Sequence, residues 1–118
     1  MIIFLSTLAN DRDIKKASTD YPNYVKITID IDKELVAIGG EYHADAEKKL
    51  LELGAKQKNI WGGGLDLITK ELETIAMINV RARLNPHQDI QTPNIKAKFL
   101  SLAYKFLKKY AKKPTLLP

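Results

Sequence analysis

Cysteine is absent from this 118-residue chain. That excludes disulfides, thiolate metal sites and a cysteine nucleophile, and it suits a reducing, cytoplasmic compartment. No apolar run approaches the roughly 18 to 20 residues that cross a bilayer, so no membrane association is expected. The opening MIIFLSTLAN has no basic residue before its apolar part and is cut short by Asn10, Asp11 and Arg12, which reads as a buried strand rather than a secretory signal. Histidine occurs only at His43 and His87, and tryptophan only at Trp61. From Pro93 onward acidic residues are missing, while seven lysines are present. The net charge of +5 is therefore local, because the rest of the chain carries 12 basic against 14 acidic side chains.

What is present describes one globular domain, residues 1–118, with 45% hydrophobic and 28% charged residues. Residues 2–5 read as a short strand, and Asn10 as the N-cap of a short helix over 10–18. Val25, Ile27, Ile29 and Ile31 alternate with Lys26, Thr28 and Asp30, the pattern of a half-buried strand. A tight turn at Asp32 and Lys33 leads to a second strand over 35–38. A helix follows over 43–53, with Gly54 as its C-terminal cap. Residues 59–67 and 72–83 read as a second antiparallel pair. Thr92 and Pro93 open a final helix whose Ile95, Phe99, Leu102, Phe106 and Tyr110 form one stripe. The expected fold is α+β, a mostly antiparallel sheet of about five strands with helices packed on it in two layers, in the order β-α-β-β-α-β-β-α.

Three groups of residues are candidates for chemistry. Glu41, His43, Asp45 and Glu47 lie where a strand gives way to a helix, a place where free backbone N–H groups and the helix dipole attract anions. There a carboxylate such as Asp45 tunes His43 for proton transfer, or the acids only answer the dipole. Asn79, Arg81 and Arg83 alternate along the expected last strand, with Asn85 just beyond. They clamp a carboxylate or phosphate, or else lie on a solvated face. Trp61 stacks on a ligand ring or belongs to the core, and the glycines after it lack the Gly-Lys-Ser/Thr of a phosphate loop. His43 and Glu47 have the i, i+4 spacing of a ligand pair but no third ligand in sequence, so no metal and no cofactor is expected.

The run VKITIDIDKELVAIGGEYHADAEKKLLELGAKQKNIWGG, with the later INVRARLN and DIQTPNIK, resembles the small prokaryotic proteins grouped as domain of unknown function 5674. The likeness spans Tyr24 to about Leu107. It rests on Gly39-Gly40, His43-Ala44-Asp45, Glu47, Gln57, Trp61-Gly62 and Ile78-Asn79-Val80-Arg81, with Arg83, Asn85, Ile90, Gln91 and Pro93. The chain departs from the family pattern at Gly63, Gly64 and Leu65, at Ala82, and near Pro86. The resemblance implies no activity, cofactor or catalytic residue.

The expected function is a pocket for a small anionic ligand or nucleotide. Arg81 and Arg83 would hold the anion, Glu41, Gln57, Trp61, Asn79 and Asn85 would line and orient it, and His43 with Asp45 would serve as an acid-base pair for hydrolysis or group transfer. The alternative is a non-catalytic module binding nucleic acid or an acidic protein weakly through Lys105, Lys108, Lys109, Lys112 and Lys113. The two readings differ in whether the protein is an enzyme.

Overall fold

Val25, Ile27 and Ile29 alternate with polar neighbours, and this period of two makes the central strand, β2 (Tyr24–Asp30). The structure, a computed structural model, describes residues 1–115. On one side β2 pairs with β3 (Leu35–Gly39), Ile29 standing opposite Val36. On the other it pairs with β4 (Ile60–Asp66), from Tyr24 opposite Asp66 to Asp30 opposite Ile60. β1 (Ile2–Leu5) lies outside β3, and the two-residue β5 (Leu72–Glu73) lies outside β4. Every neighbouring pair is antiparallel. With α1 (Asp11–Ala17), α2 (His43–Glu52) and α3 (Pro93–Leu107), the α+β class and the element order match the sequence reading.

Local signals explain the element ends. Asn10 and Asp13 form a reciprocal capping box on α1, with bonds of 2.9 and 3.0 Å. The β2–β3 turn is organised by Asp30, whose Oδ1 accepts from the N–H groups of Asp32 and Lys33. At the end of α2, Gly54 adopts φ +94°, and the N–H groups of Gly54 and Ala55 bond back to Leu51 and Leu50.

The expectation of two layers is corrected to three. A Cβ on Gly62 would lie 2.9 Å from His43 Cδ2 of α2, whereas one on Gly63 would lie 2.7 Å from Phe99 Cε1 of α3. Successive strand residues point to opposite faces, so α2 and α3 sandwich the sheet, and only glycine permits both approaches. Phe99, Leu102, Ala103 and Leu107 pack with Ala17 of α1 against Val25, Ile27, Ile29 and Leu65. Leu50, Ala55 and Ile60 make a smaller core on the α2 side, joined by Leu35 and Ile78. Thr28 and Asp30 are consequently buried on a face that the polar alternation marks as solvated.

The strand read over 72–83 is also corrected. It survives only as β5, after which Ala76 N–H bonds to Gln88 O and Ile90 N–H to Thr74 O. The chain then makes a turn of 3₁₀ helix at Met77–Asn79 and a tight turn closed by mutual Arg81 and Asn85 backbone bonds. Side-chain amides compete for the backbone groups that a longer ladder would use.

Candidate functional site

The polar residues marked by the sequence meet β4 from two directions. From α2, the buried His43 places Nε2 2.6 Å from the Gly63 carbonyl. A carbonyl can only accept, so Nε2 carries the proton and donates. Burial drives the His43 pKa down to about 4, and Lys26 adds to the shift, while the Gly63 bond opposes it. The ring is neutral at neutral pH. Asp45 is exposed, and among the described residues its carboxylate makes no hydrogen bond or ion pair, to His43 or to anything else. Glu41 is exposed, and its carbonyl accepts from Tyr21 Oη at 2.9 Å.

From the other direction, the segment after β5 completes the outer edge of β4 with side chains. Asn79 is wholly buried. Its Oδ1 accepts from Gly62 N–H at 2.8 Å, and its Nδ2 donates to the carbonyls of Gly62, Thr74 and Gln88. The side chain pairs with Gly62 as a peptide unit of a neighbouring strand would. One step along the same edge, Arg81 Nη1 donates to Lys58 O at 2.7 Å and Nη2 donates to Ile60 O. Its guanidinium lies 3.8 Å from the Trp61 ring centre. Burial lowers the Arg81 pKa, while the nearby Glu47 carboxylate acts the other way. Trp61 is 3% exposed and belongs to the core, its ring covered by that guanidinium.

Asn85 plays the same part within the loop. Fully buried, it donates to the carbonyls of Asn79, His87 and Asp89 and accepts from Gln91 N–H. Arg83 is exposed at the turn with φ +69°, so it does not share a face with Asn79 and Arg81. Gln57 is exposed at the start of its 3₁₀ turn.

The structure thus brings His43, Trp61, Asn79 and Arg81 together around the first half of β4, with Asn85 bonded to the Asn79 carbonyl and to the Arg81 backbone, while Glu41, Asp45, Gln57 and Arg83 stand apart from that cluster. The cluster's donors are largely used on main-chain carbonyls. Glu47 Oε2 and Arg81 Nε are buried with no protein partner. Sequence reasoning missed Lys26 beside His43, because only the β2–β4 register places Lys26 opposite Gly64. It also missed Tyr24, whose Oη donates to Glu73 Oε1 at 2.5 Å and whose pKa is raised by burial and by that carboxylate. Among the described residues, no group of three or more His, Asp or Glu side chains is placed to hold a metal. No described helix is long and apolar enough to cross a membrane.

The architecture is that of a small α/β/α domain with an edge completed by side chains. A family model described as "Protein of unknown function (DUF5674)" matches residues 3–106, and the chain belongs to that family. Neither a curated protein nor a solved structure matches it.

Proposed function

We propose that the protein is a non-catalytic interaction module that binds nucleic acid through α1, the end of α3 and the residues that follow it. One observation carries the reading. Lys105, Lys108, Lys112 and Lys113 are exposed and have no acidic partner among the described residues. The same surface extends onto α1, because Asp11 binds both Lys109 Nζ at 3.2 Å and Tyr110 Oη at 2.5 Å. Beyond that junction α1 exposes Arg12, Lys15 and Lys16. Lysines free of carboxylates neutralise phosphates and release counterions, which gives weak, sequence-tolerant and salt-sensitive binding. Anisotropy titrations with labelled single-stranded and duplex oligonucleotides over a range of salt test this. The salt slope is expected to fall by about 0.7 to 0.9 for each phosphate-contacting lysine replaced by glutamine. No binding at low salt, or binding unchanged in the quadruple glutamine variant, defeats the reading.

A second reading, a small anion held at the start of α2, is favoured by the absence of any side-chain cap on that helix and by Lys26 nearby. In it Arg81 and Arg83 would contribute charge, and His43 with Asp45 would need to come together for acid-base chemistry. Titration with phosphate, nucleotides and small carboxylates, followed by amide shifts over residues 41–45 and 79–85, separates it from the first reading. Absence of shifts in both segments ends it.

A further inference from the structure

We propose that residues 75–88 form a pre-shaped docking surface for an acidic, apolar peptide segment of another protein. This surface is independent of the lysines at the end of α3 and beyond it. The segment leaves and rejoins the body at one place, where Ile75 bridges Asp89 and Ala76 N–H bonds to Gln88 O at 3.1 Å. Loops of this length with closed ends and internal packing are frequently functional.

Part of its interior is polar and part of its exterior apolar. The polar Asn79 and Asn85 are buried inside it, each making four hydrogen bonds. The apolar Ile75, Met77, Val80 and Leu84 face outward, at 47, 69, 44 and 75% exposure. Their exposed area sums to the order of 400 Å² within one fourteen-residue loop, as much as the larger apolar patches of monomeric proteins. The two asparagines, with Arg81 clamped on β4, fix the backbone in advance, so a partner does not have to order it.

Charge selects the partner. Residues 75–88 contain Arg81 and Arg83 and no acidic side chain. Of these, Arg83 is exposed at the turn next to Leu84. An apolar segment carrying carboxylates complements this surface. A second copy docked by the same loop about a two-fold axis does not, because it would set Arg83 against a loop that has no carboxylate to offer.

The test uses the full chain and two labelled twelve-residue peptides, one alternating leucine or phenylalanine with glutamate, the other with lysine in place of glutamate. The glutamate peptide is expected to bind at least tenfold more tightly than the lysine peptide. Met77→Ser with Leu84→Ser should weaken it at least tenfold, and Arg83→Gly, which keeps the positive φ, about threefold. Because Met77 and Leu84 are largely exposed, the double variant should melt like the parent. Equal binding of both peptides overturns the proposal, as does binding that the double variant retains. Binding abolished instead by replacing Lys105, Lys108, Lys112 and Lys113 overturns it too. Self-association that depends on Leu84, with no peptide bound, assigns the patch to a second copy and likewise overturns it.

Discussion

The α3 face and the loop over 75–88 solve opposite packing problems with similar numbers of residues. In α3, Phe99, Leu102, Ala103 and Leu107 point into the core and lysines point out. In the loop, Asn79 and Asn85 are buried beside Ala76, while Ile75, Met77, Val80 and Leu84 face solvent. The helix satisfies its backbone by its own ladder, so its side chains are free to be apolar inside. The loop has no ladder, so buried amides must satisfy its carbonyls. Polar residues that suggest a binding site in the sequence can therefore be the internal frame of a turn whose outer side carries aliphatic side chains.

Substitutions sharpen the comparison. The largest effects are expected from Phe99→Ala, about 3–5 kcal/mol lost through the cavity it leaves between α3 and Gly63, and from Asn79→Ala, on the order of 4 kcal/mol. The second figure reflects several carbonyls and one N–H left without partners. Chemical denaturation of both variants checks this, and a cost under about 1 kcal/mol for Asn79→Ala breaks the equivalence of loop frame and core.

His43 comes next. Its folded pKa of about 4 lies below the 6.5 of an ordinary histidine, so the unfolded chain binds the extra proton. Its contribution is fully present above pH 6.5, declines as pH falls through that window, and is lost near pH 4. The total is on the order of 3 kcal/mol. Urea titrations between pH 4 and 7 should show the decline in the parent and a flatter profile in His43→Gln.

Arg81→Lys is expected to cost about 1–2 kcal/mol, since an ammonium cannot span both carbonyls while lying flat on Trp61. Thermal melts of this variant, with tryptophan fluorescence as readout, report both losses. The smallest effect is expected from the exposed lysines. Lys108→Gln should change stability by less than about 0.5 kcal/mol while still lowering the salt dependence of oligonucleotide binding.

The element order was legible because β2 and α3 carry clean periods of two and about 3.6, and because Asn10 and Gly54 act at the ends of their helices as their chemistry suggests. The third layer was not legible. Nothing in Lys26, Thr28 and Asp30 announces that α2 covers them, and the covering depends on Gly62 admitting His43. The family resemblance was legible from the residues around Gly39, His43, Trp61 and Asn79, and the family match extends it to residues 3–106. Asn79, Arg81 and Arg83 were assigned by alternation to one strand face, with Asn85 just beyond, whereas the structure turns the chain there and buries Asn79 and Asn85. Bonds from a side chain to distant backbone leave no periodic trace, so neither the 3₁₀ turn at Met77–Asn79 nor the positive φ of Arg83 shows in the pattern.

The pairing of Asn79 with Gly62 has a consequence for how this protein fails. An open strand edge invites the same edge of another molecule, and charge, proline or short length usually guards against it. β4 has none of these along Ile60–Leu65, and β5 reaches only Gly64 and Leu65. One amide and one guanidinium therefore act as its gatekeepers. When they let go, a glycine-rich apolar strand is bared, and aggregation is expected to begin there, most readily in Asn79→Ala.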